Sequence, residues 1–123
     1  MSYSNDAAIK KPLSNAKQNQ QDGKALNLSM VNIATKIKAK SGGEVATAAA
    51  AYLKLVKEKD SFSREEILAA MKLATGIYKT SYNNNLSNIL LTLVNNDTLT
   101  QSAGNAYSLS FDKEEELYGQ LAK

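Results

Sequence analysis

Residues 82–97, YNNNLSNILLTLVNND, concentrate side-chain amides, with Asn84, Asn85, Asn88 and Asn95 among them. An amide presents an acceptor oxygen and a donor NH2 side by side. That pairing can bond bidentately to the N6/N7 edge of adenine, while serine and threonine hydroxyls suit phosphate oxygens. Thr92 lies in the same stretch, and Lys79, Thr80, Ser81 and Tyr82 lie just before it. If a helix begins near Ser81, its free backbone N–H groups also favour an anion. Gln101, Ser102 and Asn105 follow in a second polar cluster around Gly104.

Other chemistries are poorly provided for. The chain has 123 residues, no cysteine and no histidine. Disulfides, thiolate nucleophiles, histidine acid–base catalysis, serine–histidine triads and nearly every zinc site are thereby removed. We therefore expect no catalytic residues, no metal and no cofactor. The segment SGGE at 41–44 precedes a helix as a phosphate loop does, but it lacks P-loop spacing and the Lys-Ser/Thr pair. It reads as a helix stop followed by a helix start.

The elements that would position the polar residues can be read from periodicity. After a polar, lysine-containing stretch at 1–26, which lacks the apolar content to offset ordering entropy and reads as a disordered arm, Met30, Ile33, Ala34 and Ile37 fall at helical spacing. This gives a short amphipathic helix and linker over 27–43, ended by SGG. EVATAAAAYLKLVKEK, from Glu44, predicts a helix with Val45, Ala48, Ala49, Tyr52, Leu53 and Val56 inward. Ser63 with Glu66 three residues later is a capping box, and Phe62 before it can close against Ile67 as a hydrophobic staple. Ile67, Leu68, Met71 and Leu73 are assigned to the inner face of that second helix, with Gly76 ending it. A third helix from about Ser81 carries an apolar stripe of Leu86, Ile89, Leu90, Leu93 and Val94. Its outward positions are Asn84, Asn85, Asn88, Leu91, Thr92 and Asn95. TLTQ and AYSLSF then alternate apolar and polar residues around SAGN, which predicts a hairpin with Leu99, Tyr107 and Leu109 facing the core. DKEEELYGQLA reads as a short closing helix. The fold class is thus mainly α with a small β-hairpin, in one domain at 44–122.

The order helix, helix, helix, strand, glycine-tipped loop, strand over residues 44–111 resembles the winged-helix superfamily. More distantly, YNNNLSNILLTLVNNDTL and QSAGNAYSLS resemble the globular domain of linker histones. The resemblance implies a three-helix core plus wing, with the third helix in the major groove of DNA and the wing on the backbone or minor groove. Asn84, Asn85, Asn88, Thr92 and Asn95 would then face the groove, and Gln101, Ser102 and Asn105 would ride on the wing.

Charge complicates that picture. Affinity for DNA comes largely from lysine and arginine displacing counterions, yet residues 81–111 contain neither. The net charge is +3, and the basic excess sits early, in Lys10, Lys11, Lys17, Lys24, Lys36, Lys38 and Lys40. The expected function is therefore non-catalytic binding of double-stranded DNA through the third helix, the wing and a basic arm. The alternative is a winged-helix module that docks another protein in a replication, transcription or chromosome-organising assembly, for which an outward Leu91 would serve. No apolar run is long enough to span a bilayer and the first residues lack a secretory signal, so a cytoplasmic protein is expected, nucleoid-associated if it binds DNA. The plain composition suits a bacterial or phage source, and the oligomeric state is left open.

Overall fold

The alanine run at 46–51 forms the centre of the molecule. A computed structural model describes residues 26–122, and there α2 (Gly42–Ala51) buries Val45, Ala46, Ala48, Ala49, Ala50 and Ala51 completely. Buried alanines around most of its circumference leave room for neighbours on several sides. α2 packs against α1 (Met30–Lys36), α3 (Arg64–Lys72) and α5 (Leu86–Asn95). The expected arm at 1–26 falls outside the described residues except for Leu26, whose N–H donates to the Leu55 carbonyl at 2.7 Å.

The short early helix belongs to the same core. Met30, Ile33 and Ala34 of α1 are buried with α2, and Ser29 caps the helix by accepting from the Asn32 N–H. Lys38, in the left-handed region at φ 59°, turns the chain into Ser41, which caps α2 through the Glu44 N–H. The helix read from Glu44 in the sequence thus starts two residues earlier, at Gly42.

The end of α2 departs from the simple helical stripe. Tyr52–Val56 form a π turn, and the Lys57 N–H reaches back five residues to the Tyr52 carbonyl. A widened turn rotates the residues that follow it. Leu53 and Leu55 are both buried, whereas Tyr52 and Val56, expected inside, are only half-buried.

α3 opens with the capping box read from the sequence. Glu66 N–H donates to Ser63 Oγ at 3.1 Å, and Ser63 N–H donates to Glu66 Oε1 at 2.8 Å. Ile67, Ala70 and Met71 are buried, but Leu73 is 52% exposed, because the helix ends at Lys72 and Leu73 is its cap. Ala74 is the buried anchor of the following turn, and Gly76, expected to end the helix, lies in the left-handed region beyond it.

The third helix of the sequence reading is two pieces, α4 (Thr80–Asn84) and α5, broken at Asn85. The Asn85 side-chain NH2 and backbone N–H both reach the Ser81 carbonyl, at 3.3 and 3.2 Å. Such local side-chain bonding competes with a regular helix. Leu86, Leu90 and Leu93 of the predicted stripe are buried, with Ile89 and Val94 partly so.

β1 (Leu99–Ser102) and β2 (Ala106–Leu109) pair antiparallel, Leu99 opposite Leu109 and Gln101 opposite Tyr107. The tip is a turn at Ala103–Asn105 with Gly104 at φ 80°. Phe62, in the connection before α3, adds a third partner to this hairpin: its N–H and carbonyl exchange bonds of 2.8 Å with Tyr107. Phe62 is itself buried, so the hairpin is fastened to the helical core at its middle. α6 (Phe111–Leu121) closes the chain with Leu117 and Leu121 inward; Phe111, read as a strand end, is its first residue.

Candidate nucleic-acid interface

α5 presents a line of exposed residues to solvent. Asn88, Leu91 and Asn95 recur at spacings of three and four, so they share one ridge, with Asn84 at the end of α4 just before it. All are exposed, as are Asn85 and Thr92 beside them, and Leu91 in the middle is 58% exposed. The face carries no formal charge.

Two grooves flank this ridge. On the wing side, Ser87 and Leu90 face Arg64 and Glu65 at the start of α3, with Gly104, Asn105 and Tyr107 of the hairpin completing a cavity of about 440 Å³. Arg64 is the only arginine in the chain and makes no ion pair with another described residue. On the opposite side, Thr92, Leu93 and Asn96 face Ile37, Ser41 and Glu44 at the α1–α2 turn, and Lys113 and Glu116 of α6, around a cavity of about 370 Å³. Lys36 ends α1 and Lys38 and Lys40 lie in that turn; all three are exposed, stand outside the cavity lining itself, and likewise form no ion pair with a described residue. Acidic groups share both flanks. Glu44 is partly engaged by the Lys40 N–H at 2.8 Å, and Glu116 by Lys113 at 3.3 Å.

The turn is held against the helix by Gly42. A β-carbon there would lie 2.6 Å from Ile89 Cδ1 and 3.0 Å from Tyr82 Cδ1. Glycine therefore lets the start of α2 approach α4 and α5 closely, which sets Ile37 and Ser41 of the preceding turn across the groove from Thr92.

The remaining sequence-derived residues divide by what else they do. Lys79, Thr80 and Ser81 are exposed at the start of α4, a helix of only one turn. Tyr82 is half-buried and sets its ring edge-on to Tyr78 at 6.0 Å, so its ring serves packing. On the hairpin, Gln101 donates to Asn105 Oδ1 at 3.3 Å, and Ser102 Oγ donates to the Ala106 carbonyl at 3.4 Å. These bonds stiffen the tip. Lys10, Lys11, Lys17 and Lys24 lie outside the described residues.

Three lysines between α2 and α3, Lys54, Lys57 and Lys59, are otherwise engaged. Lys54 pairs with Asp60 at 2.9 Å and Lys59 with Glu66 at 2.8 Å, and Lys57 lies 5.6 Å from the centre of the Tyr52 ring. The hydrogen bond and charge of Lys54 hold the Asp60 carboxyl below its ordinary value. Lys59 and the Ser63 N–H do the same for Glu66. Among the described residues no group of acidic side chains is placed to hold a metal, and no helix is long and apolar enough to cross a membrane.

Sequence reasoning gave Arg64 no role at the polar helix and assigned Lys36, Lys38 and Lys40 to the basic arm. The grooves on either side of α5, one lined by Arg64 and the other by the turn next to Lys38 and Lys40, depend on contacts between residues far apart in the chain, for which no local signal exists. No known protein family, curated protein or solved structure matches the chain.

Proposed function

We propose that the chain is a non-catalytic winged-helix protein that binds double-stranded DNA, inserting the exposed ridge of α5 into the major groove. The winged-helix reading is supported by the element order and by the Phe62–Tyr107 pairing, a single bridging residue ahead of α3 that joins the two-stranded hairpin. The DNA reading rests on one observation above all. An uncharged, amide-rich helix face has Arg64 in the groove on its hairpin side, and on the other side the turn that carries Lys38 and Lys40 reaches the second groove through Ile37 and Ser41; these cations form no ion pair with a described residue.

That arrangement answers the lack of lysine and arginine within residues 81–111. A helix in the major groove has a phosphate backbone on each side, and the counterion-displacing charge belongs at those flanks rather than on the face that meets the bases. The ten residues of α5 span about 15 Å, enough to follow the groove over several base pairs. Asn84, Asn88 and Asn95 then reach base edges, Thr92 and Ser81 reach backbone, and Asn105 with Gln101 and Ser102 approach from the wing.

The test is fluorescence anisotropy of the full chain with a labelled generic duplex at low and moderate salt. Binding that weakens on Asn88→Ala supports the reading; absence of binding to any duplex at low salt overturns it. A second reading, docking of another protein on the same face, draws on the exposure of Leu91. It is favoured if duplex binding is absent and a Leu91→Ala variant loses a protein partner captured by the wild type.

A further inference from the structure

Leu91 is the one apolar member of the ridge, with Asn88 a turn before it and Asn95 a turn after. A single exposed leucine offers too little apolar area to anchor a protein interface, which needs roughly 800 Å² on each partner. Its exposed neighbours Ser87, Asn88, Thr92 and Asn95 are polar and do not enlarge the patch. The major groove of DNA, in contrast, presents apolar groups of just this size, one thymine methyl for each A·T pair.

From this, and resting on the DNA reading above, we infer that α5 selects A·T base pairs, with Leu91 covering a thymine methyl while Asn88 or Asn95 bonds the N6/N7 edge of a nearby adenine. The two contacts are matched by geometry. In an A·T pair the adenine donor–acceptor edge and the thymine methyl sit side by side in the same groove. An amide and an aliphatic side chain one helical turn apart, about 5.4 Å along the axis, address neighbouring base pairs. A G·C pair serves the ridge poorly. It has no methyl for Leu91, and cytosine N4–H₂ would lose solvent against the leucine without gaining an acceptor. The cations on the flanks hold the backbones and carry no sequence information, so selection falls to the ridge.

The experiment compares three two-turn duplexes by anisotropy at one salt concentration: alternating A–T, the same sequence with deoxyuridine in place of thymine, and alternating G–C. Deoxyuridine removes only the methyl. The full-length wild type is expected to bind the thymine duplex most tightly, losing about fourfold for each covered methyl that is removed. Leu91→Ala is expected to bind the thymine and deoxyuridine duplexes alike, at about the wild type's deoxyuridine affinity. Leu91→Met, which keeps an apolar side chain, is expected to retain the thymine preference. Because Leu91 is exposed, all variants should give the wild-type circular dichroism spectrum. Wild type that binds the thymine and deoxyuridine duplexes equally overturns the inference while leaving DNA binding intact. So does a thymine preference undiminished in Leu91→Ala. No binding to any of the three overturns the DNA reading itself.

Discussion

Replacing the flanking cations tests whether the fold supplies the charge that residues 81–111 lack. The perturbation is Lys36→Gln, Lys38→Gln, Lys40→Gln and Arg64→Gln, separately by flank and then together, in the full chain. All four are exposed and unpaired among the described residues, so neither a core nor an ion pair is lost. Each cation that displaces a counterion from duplex DNA contributes about 0.9 to the slope of log affinity against log salt, or about 3.5-fold between roughly 50 and 200 mM. Four such contacts give a slope of about 3.6 and about 150-fold over that range. The structure sets this as a ceiling, since Glu65 shares the wing-side groove and Glu44 and Glu116 the other. Anisotropy titrations across a salt series measure the slope directly. Arg64→Gln should reduce it by about 1 and the triple lysine variant by up to about 3, with similar effects on every duplex sequence. A quadruple variant with the wild-type slope would refute the argument, because the binding charge would then lie elsewhere, as in the lysines at 10–24.

Three further outcomes follow from the fold. Phe62→Ala should cost roughly 3–5 kcal/mol in urea unfolding, since the ring is buried and its backbone fastens the wing at Tyr107; a loss below about 1 kcal/mol would contradict that anchoring. Gly42→Val should cost roughly 1–3 kcal/mol by overpacking against Ile89 and Tyr82. Gly42→Ala should be milder, because the Ile89 methyl can swing aside, and a Gly42→Val variant as stable as wild type would refute the close approach. Ser63→Ala should cost about 1 kcal/mol through loss of the helix cap. Its partner Glu66 has a lowered folded pKa, so its contribution is present above the unfolded carboxyl pKa and fades as pH falls through the folded value. The stability gap between wild type and Glu66→Gln should therefore be full at pH 7 and shrink toward pH 3; a gap independent of pH would exclude the ionised carboxylate as its source.

The residues themselves specified the local elements. Ser63 and Glu66 close a capping box wherever an apolar helical run follows, because both bonds lie within one turn. The stripe Leu86, Leu90 and Leu93 and the alternation around Gly104 likewise needed only the periods of helix and strand. Where the reading slipped, a bond between near neighbours had outweighed the period. The π turn exchanged Val56 for Leu55 in the core, and Asn85 broke the third helix by bonding to Ser81.

The amides of the candidate interface were also legible, because type and spacing suffice to put Asn88, Leu91 and Asn95 on one line of a helix. What surrounds that line was not. Arg64 comes beside Ser87 through the pairing of Phe62 with Tyr107, and the Lys36–Lys40 turn comes beside Thr92 through the absence of a β-carbon at Gly42. The sequence alone determined which side chains face outward, since helical and strand periods act over a few residues. Only the tertiary structure decided which charges stand next to them, since that depends on packing between segments more than 20 residues apart.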